Sequence, residues 1–299
     1  MALTLTRKKR RTNRLQLMYL LPAICFLACF MAYPILNVFY YCLHHYNISK
    51  PYLNGFVGLK NFQRLLSDSL FKGSIRISIR WVLFEVSIQL VVGMVTALIL
   101  NKSFPGRGII RAIVFAPWAV SGVITSMLWS LIYNENMGVL NDLLLKTGLI
   151  DHRIAWISNY NTAFGALLIA ELWRGLPFFA IMLLAGLQGI PNEVYEASSV
   201  DGANRWQTFW LITVPQLKNT IILSTLLRAV WEFNNVDVIF NLTGGGPTNR
   251  TMTLTMYLTQ TAVYDNDFGY GSAIAVVAFL FLAVCASLYI KFTGFGKEG

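Results

Sequence analysis

The feature that most constrains this chain is a series of six apolar runs, each close to the length that the hydrocarbon core of a bilayer requires. The runs cover residues 17–43, 80–100, 109–133, 162–187, 217–240 and 270–292. Inside a bilayer every backbone N–H and C=O must find a partner within the protein, so apolar runs of this length fold as helices. The sequence therefore predicts an all-α polytopic membrane protein with six transmembrane helices.

The composition supports this prediction. Hydrophobic residues make up 56% of the chain and charged residues only 13%, a balance that soluble domains of this length do not show. The net charge of +10 raises the alternative of nucleic-acid binding. However, the basic residues lie at the ends of apolar runs rather than in one patch, as membrane topology requires. We therefore predict contact with membrane lipid and no nucleic-acid partner.

A basic leader, residues 7–14, precedes the first apolar run. A signal peptide is the alternative interpretation, but the run is too long for one, contains Pro22 and Pro34, and is followed by no small-residue cleavage site. We expect residues 1–16 to form a cytoplasmic N-terminus and residues 17–299 one transmembrane domain. Because Lys and Arg are denser on the side of that N-terminus, both termini are predicted to be cytoplasmic.

Residues 189–215 form a polar island between two apolar runs, on the predicted cytoplasmic side. Pro191 suits the first turn of a helix, and Gly202 suits the left-handed bend that stops one. Asn204 is typical of a residue that caps a second helix, which Pro215 is predicted to end. The island therefore predicts helix, bend and helix, with exposed carboxylates and aromatic rings suited to docking.

The same island resembles the EAA loop of membrane permeases in ATP-binding-cassette importers. The resemblance rests on Glu196, Ala197, Ser198, Gly202, Ile212, Val214 and Pro215. The family pattern is Glu-Ala-Ala, three residues, Gly, nine residues, Ile, any residue, Leu and Pro, and every spacing is met. Ser198 and Val214 depart from it but keep a small or an aliphatic side chain. An amphipathic interfacial helix pair with no partner is the alternative interpretation.

Further stretches extend the resemblance over nearly the whole chain. Residues 196–203 are similar to the carbohydrate-uptake branch, as are Tyr33-Pro34, residues 58–62 and the glycine-rich residues 242–248. The first-span pattern is most similar to the larger permease of maltose- and glycerol-phosphate-type systems. The resemblance implies the type I importer permease fold, in the bacterial cytoplasmic (inner) membrane. It also implies a subunit that moves a sugar or sugar-derived solute.

The resemblance also implies partners. They are a second homologous permease, two ATPase subunits that bind ATP and magnesium, and an extracytoplasmic solute-binding protein. This chain itself would bind no cofactor and would not be an enzyme. The residues that the resemblance places in ATPase coupling are Glu196, Ala197, Ser198, Asp201, Gly202, Ala203, Phe209 and Pro215. Among these, Glu196 would offer a charge, Gly202 the bend, and Phe209 a ring for a groove on the ATPase.

The few charges within the apolar runs need an account, because intramembrane charges are costly. Glu171 and Arg174 stand three apart, and Arg228 and Glu232 four apart, so each pair shares a helix face and neutralises itself. The alternative is that some of them line a polar cavity. Sugar recognition needs amides and carboxylates for hydroxyls and flat rings for C–H faces. The candidates for such a pathway are Trp129, Trp173, Phe178, Trp231, Phe233, Asn234, Asn235 and Asp237.

Two other function classes are kept as alternatives. An ion-coupled secondary transporter would show inverted repeats with interrupted helices, and we find no convincing repeat. An intramembrane enzyme would need a catalytic constellation, and the four cysteines and three histidines show no metal-ligand or catalytic spacing. The three consecutive glycines at residues 244–246 lack the order and the Lys of a P-loop.

Overall fold

A computed structural model describes residues 19–295. The predicted N-terminal segment, residues 1–16, therefore lies outside the described residues. The chain divides into two compact units, one formed by residues up to Ser67 with Leu258–Val277, the other by Asp68–Tyr257 with residues from Ala278 onward. Both units are built mainly from helices, as predicted.

The first unit holds the N-terminal helix and a small two-stranded sheet. Its elements are α1 (Tyr19–Tyr41), β1 (His44–His45), β2 (Gly55–Phe56), α2 (Lys60–Ser67) and a π-helical turn at Gln260–Tyr264. The two strands are antiparallel and pair His44 with Phe56. A π-helical turn at Ala28–Ala32 lies just ahead of Pro34, whose missing N–H prevents regular α-helical hydrogen bonding there.

Side chains of α2 hold this first unit together. Asn61 donates through Nδ2 to the carbonyl oxygens of Cys42 and His44, both at 2.9 Å. Arg64 forms an ion pair with Asp267 at 3.0 Å. The bonds from Asn61 give partners to two backbone carbonyls in the segment that follows α1.

The second unit contains the remaining helices. In chain order they are α3 (Ser69–Asn101), α4 (Arg107–Phe115), α5 (Gly122–Ile132), α6 (Val139–Lys146), α7 (Ala163–Gln188), α8 (Asn192–Val200), α9 (Arg205–Thr208), α10 (Val214–Gln216), α11 (Lys218–Phe233), α12 (Asp237–Leu242), α13 (Leu254–Thr259) and α14 (Phe268–Thr293). Helices α13 and α14 each have residues in both units.

The core of the second unit lies where α3 packs along α7. Ala97 and Leu100 of α3 and Phe179 and Leu183 of α7 are at most 1% exposed and belong to one apolar cluster. Gly93 lies against Phe179, where a Cβ atom would collide with the ring-bearing side chain. Small residues at such a crossing let membrane helices approach closely. This close packing brings the polar side chains of the two helices together.

Four described helices are long and apolar enough to cross a membrane: α1, α3, α7 and α14. Their bounds agree with the predicted first, fourth and sixth spans. The second begins earlier than predicted, at Ser69, because Asp68 caps it by accepting from the backbone N–H groups of Leu70 and Phe71. The hydropathy of the sequence marks only the part of this helix that is apolar. The predicted count of six spans stays a prediction.

The predicted third span is not one straight helix. Helix α4 continues into a 3-10 turn at Ala116–Ala119, and α5 then leaves at an angle of 102°. Pro117 lies in that turn, and Val120 is extended, so α-helical hydrogen bonding stops there. Ser121 starts the next helix by accepting from the N–H of Ile124 at 3.4 Å. The continuous span at 109–133 is thus corrected to a bent pair.

The predicted fifth span is also interrupted. Helix α11 ends at Phe233 after 16 residues, and α12 begins only at Asp237. At the break, Asn234 donates through Nδ2 to the carbonyl of Val230 at 2.8 Å, a local bond that competes with the helical one. Irregular backbone at membrane depth is tolerated where it is buried in protein or lines a watery cavity. The break therefore points to a polar cavity.

Candidate functional site

The polar island folds as helix, bend and helix. Helix α8 starts directly after Pro191, which lies at the capping position rather than inside the first turn as predicted. Gly202 has the predicted left-handed conformation, with φ of +77°. Asn204 accepts from the N–H of Gln207, whose side chain accepts from the N–H of Asn204, both at 2.9 Å. These local signals fix the bend.

Pro215 does not end the second island helix, and this prediction is corrected. Helix α9 continues through a π-helical turn at Phe209–Thr213 into α10, and only a turn at Leu217 separates α10 from α11. The wider π-helical hydrogen bonding ahead of Pro215 accommodates its missing N–H. The second half of the island is therefore a direct helical extension of α11.

The predicted coupling residues differ in exposure. The exposed ones are Glu196, Ala197, Asp201, Gly202 and Pro215, while Ala203 is half-buried. Ser198 is buried and donates through Oγ to the carbonyl of Tyr195 at 2.9 Å. The two carboxylates next to the bend thus face outward, as a docking surface requires.

The aromatic residues of the island face two ways. Phe209 is half-buried and packs against the apolar core of the second unit, so its ring is not a free docking group. In contrast, Trp206 is 71% exposed and Trp210 is 49% exposed. The ring that the sequence placed in an ATPase groove is therefore turned toward the permease itself, because the helical period puts the neighbouring indoles outside.

The intramembrane charges form one network instead of two separate pairs. Arg174 donates through Nε and Nη2 to the two oxygens of Glu171, at 3.0 and 2.9 Å. Arg228 donates to Glu171 at 3.0 Å and also pairs with Glu232 on its own helix. Both carboxylates are at most 1% exposed. The two pairs predicted from the sequence are thus joined across α7 and α11.

Helix α3 contributes residues to this network that the sequence analysis missed. Gln89 accepts through Oε1 from Arg228 Nε at 2.7 Å and donates through Nε2 to Glu85 at 2.8 Å. Trp81 donates through Nε1 to Glu232 at 3.1 Å. A signal was available, because Glu85 is an ionisable residue within an apolar run and such residues are functional candidates by default.

The network contains more carboxylates than guanidinium groups. Glu85 joins Glu171 and Glu232, whereas the cations are Arg174 and Arg228. Oε1 of Glu85 is buried, and no residue in the described part of the chain hydrogen-bonds to it. A buried charge without a partner is costly, so Glu85 is the carboxylate of the network that the two guanidinium groups stabilise least.

Replacing Glu85 with Gln should therefore be tolerated. The amide keeps the volume and removes the excess carboxylate, so we expect the free energy of unfolding to change by less than about 1 kcal/mol. The matched change Glu171→Gln weakens the pairing of two arginines and should cost about 3 kcal/mol. Thermal unfolding of the purified variants in detergent measures both. Equal losses in the two variants would contradict this expectation.

A polar cavity of about 180 Å³ lies against this network, at the break between α11 and α12. Its lining residues are Glu171, Arg174, Arg228, Trp231, Glu232, Asn234, Asn235, Val236 and Asp237. A second cavity of about 230 Å³ shares three of these residues and adds an indole; it is lined by Trp118, Arg174, Arg228 and Trp231. The interrupted span thus lines a polar space, as its backbone requires.

Half of the predicted pathway residues line this cavity. They are Trp231, Asn234, Asn235 and Asp237. Phe178 is not among the lining residues but adjoins one: it is buried, with its ring centroid 5.1 Å from that of Trp231. Trp118, which the sequence analysis did not select, lines the adjoining cavity because the bend between α4 and α5 places it there.

The other predicted aromatic residues lie elsewhere. Phe233 is turned to the opposite side of α11, where it stacks on Phe281 with ring centroids 5.7 Å apart and lines an apolar cavity. Its placement in a polar pathway is therefore corrected. Trp129 and Trp173 pair edge to face at 6.3 Å. The sequence did not distinguish these rings from Trp231, because the neighbouring helices decide which face of a helix lines the cavity.

The family described as "Binding-protein-dependent transport system inner membrane component" matches residues 89–293, which include the island, the network and the cavity. The chain belongs to this family. Its predicted class, a permease subunit of an importer rather than an enzyme, is thereby confirmed, and the comparisons give no support to an ion-coupled transporter.

This permease has a relative of nearly the same length. It is 35% identical to the trehalose/maltose transport system permease protein of Thermococcus litoralis, over 97% of each chain. Among solved structures, it is similar to a bacterial ABC transporter involved in import of the acidic polysaccharide alginate, with a TM-score of 0.83 and 20% identity, over 98% of this chain and 99% of that one. For the alginate transporter in complex with a pentasaccharide-bound periplasmic protein, the TM-score is 0.79 and the identity 22%, over 96% of this chain and 94% of that one. These likenesses show the predicted type I permease fold.

Proposed function

We propose that this permease moves a sugar or sugar-derived solute across the inner membrane through the polar cavity at the α11–α12 break. The observation that carries the proposal is the meeting of amides, a carboxylate and an indole at that break: Asn234, Asn235, Asp237 and Trp231 all line the same space. The sugar named for the Thermococcus litoralis relative supports the substrate class.

The chemistry of the lining suits a sugar. Asn235 and Asp237 offer donors and acceptors that pair with vicinal hydroxyls, and the indole of Trp231 is 48% exposed and available to cover a C–H face. Arg174 and Glu171, held by their bidentate pairing, keep the wall rigid. A fixed polar wall reduces the entropy cost of orienting a bound sugar.

The helical path from the island to the cavity supports a coupling mechanism. The island would dock on an ATPase through its exposed carboxylates, Glu196 and Asp201, and through the Gly202 bend. Since α9 and α10 lead into α11, which ends beside Trp231, a movement of the island is passed to the cavity wall. Rigid-body movement of packed helices is the usual means of such switching.

The partners follow from this mechanism. A second homologous permease would complete the pathway, and two ATPase subunits would bind ATP with magnesium and drive the cycle. An extracytoplasmic solute-binding protein would deliver the substrate, which the periplasmic protein in the solved alginate complex supports. The island and both termini would lie in the cytoplasm, in line with the distribution of Lys and Arg.

Uptake by proteoliposomes that contain the permease and its partner subunits tests the pathway. Trp231→Ala should lower ATP-driven uptake of trehalose or maltose at least about tenfold, since an aromatic anchor at a binding site is often worth 2 kcal/mol or more. The control is Phe279→Ala, which removes a ring that is 60% exposed on α14. Unchanged uptake by Trp231→Ala, or uptake that needs an ion gradient instead of ATP, would contradict the proposal.

A further inference from the structure

Within the described residues, both cations that line the polar cavity are paired with buried carboxylates. Arg174 is committed to Glu171 through two hydrogen bonds, at 3.0 and 2.9 Å. Arg228 donates to Glu171 at 3.0 Å, pairs with Glu232, and donates its Nε to Gln89 at 2.7 Å. Two buried carboxylates therefore offset the two guanidinium groups of the wall.

Asp237 adds a third carboxylate to the lining, and it has no such partner. Its side chain is exposed to the cavity, and within residues 19–295 no group hydrogen-bonds to its carboxylate or forms an ion pair with it. Gly122 at the start of α5 packs closely against it, since a Cβ there would collide with the Cβ of Asp237. The cavity wall thus carries an excess of negative charge at a defined point.

We infer that Asp237 makes this pathway selective for uncharged sugars over anionic ones. The inference rests on the proposed sugar pathway and adds the charge of its substrate. An ionised carboxylate accepts short, strong hydrogen bonds from hydroxyl groups. A carboxylate, phosphate or sulfonate on the substrate would meet a like charge, with both nearby arginines already bound, and like charges brought together are strongly unfavourable. The charge of the cavity thus distinguishes neutral from anionic sugars, a distinction that membership of the family does not make.

Calorimetric titration of the assembled importer, without the solute-binding protein, tests this selectivity. Omitting the binding protein removes its own specificity from the measurement. The probes are trehalose and maltose, and the corresponding disaccharides that carry one carboxylate at a sugar C6 position. We expect the anionic probes to bind about 100-fold more weakly than the neutral ones at neutral pH.

Three variants show whether Asp237 is responsible. Asp237→Asn removes the charge and should reduce the discrimination to about tenfold or less. Asp237→Glu keeps the charge and should keep most of the discrimination. The control is Asp142→Asn on α6, an exposed carboxylate that pairs with Lys146 and lies outside the cavity lining. This control should leave the discrimination unchanged.

The outcomes separate this inference from the function on which it rests. Equal binding of neutral and anionic probes to the wild type would overturn the charge selectivity while leaving the sugar pathway in place. Persistent discrimination in Asp237→Asn would overturn the role of Asp237. If neither class of probe binds and Trp231→Ala leaves uptake unchanged, the proposed pathway fails, and the selectivity fails with it.

Discussion

Gly202→Pro is expected to abolish ATP-driven uptake while the protein still inserts into the membrane. Gly202 has φ of +77°, which proline is unable to adopt, and its N–H donates to the carbonyl of Ser199 at 3.2 Å. The bend between α8 and α9 would therefore open, and the island would lose the shape that we propose an ATPase contacts. Since the space around Gly202 is open, the effect comes from the backbone and not from a collision.

Glu196→Lys should have the same result by a different cause. This exposed carboxylate would become a cation at the centre of the docking surface, and reversal of one charge at an interface typically costs at least about 2 kcal/mol. Co-purification of the ATPase with each variant and ATP-driven uptake by proteoliposomes measure the outcome. Normal ATPase binding by either variant would count heavily against a coupling role of the island.

A matched control exists for the glycine. Gly148, which follows α6, has φ of +69°, donates its N–H to the carbonyl of Leu145 at 3.1 Å, and also has open space around it. Gly148→Pro therefore causes the same local backbone change outside the island. We expect this variant to bind the ATPase and to transport normally. A loss of coupling in Gly148→Pro as well would show that the effect of Gly202→Pro is not specific to the island.

Arg228→Met is expected to give the largest loss of stability, about 3–5 kcal/mol of the free energy of unfolding. Removing this guanidinium leaves Glu171 and Glu232 buried with an unbalanced charge, and Oε1 of Gln89 loses its donor. The side chain is only 7% exposed, so water does not replace the lost contacts. Thermal unfolding of the purified permease in detergent measures the loss.

The control for this change is an exposed ion pair. Lys146→Met removes the bridge to Asp142, which is 2.7 Å long but lies at the surface, and should cost less than about 1 kcal/mol. Arg228→Lys keeps the charge but lacks the planar group that reaches several acceptors at once. Its loss of stability should therefore lie between those of Arg228→Met and Lys146→Met. If Arg228→Met loses no more stability than Lys146→Met, the network does not stabilise the helix bundle.

The sequence by itself determined the features that depend on near neighbours in the chain. Long apolar runs set the membrane helices, because a bilayer offers no partner to backbone groups. Gly202 and Asn204 set the island bend, since a positive φ and a helix cap are properties of one or two residues. The motif of the proposed coupling island was visible for the same reason: its residues are close together in the chain.

Features that need several helices were decided only by the tertiary structure. Glu85 and Gln89 join the network because α3 packs against α7 and α11, and no spacing within one helix reports that contact. The break at Asn234 and the opposite facing of Trp231 and Phe233 depend on which neighbours surround α11. Burial of a polar group is stabilising only where partners from other helices meet it, so packing, and not local preference, places the cavity.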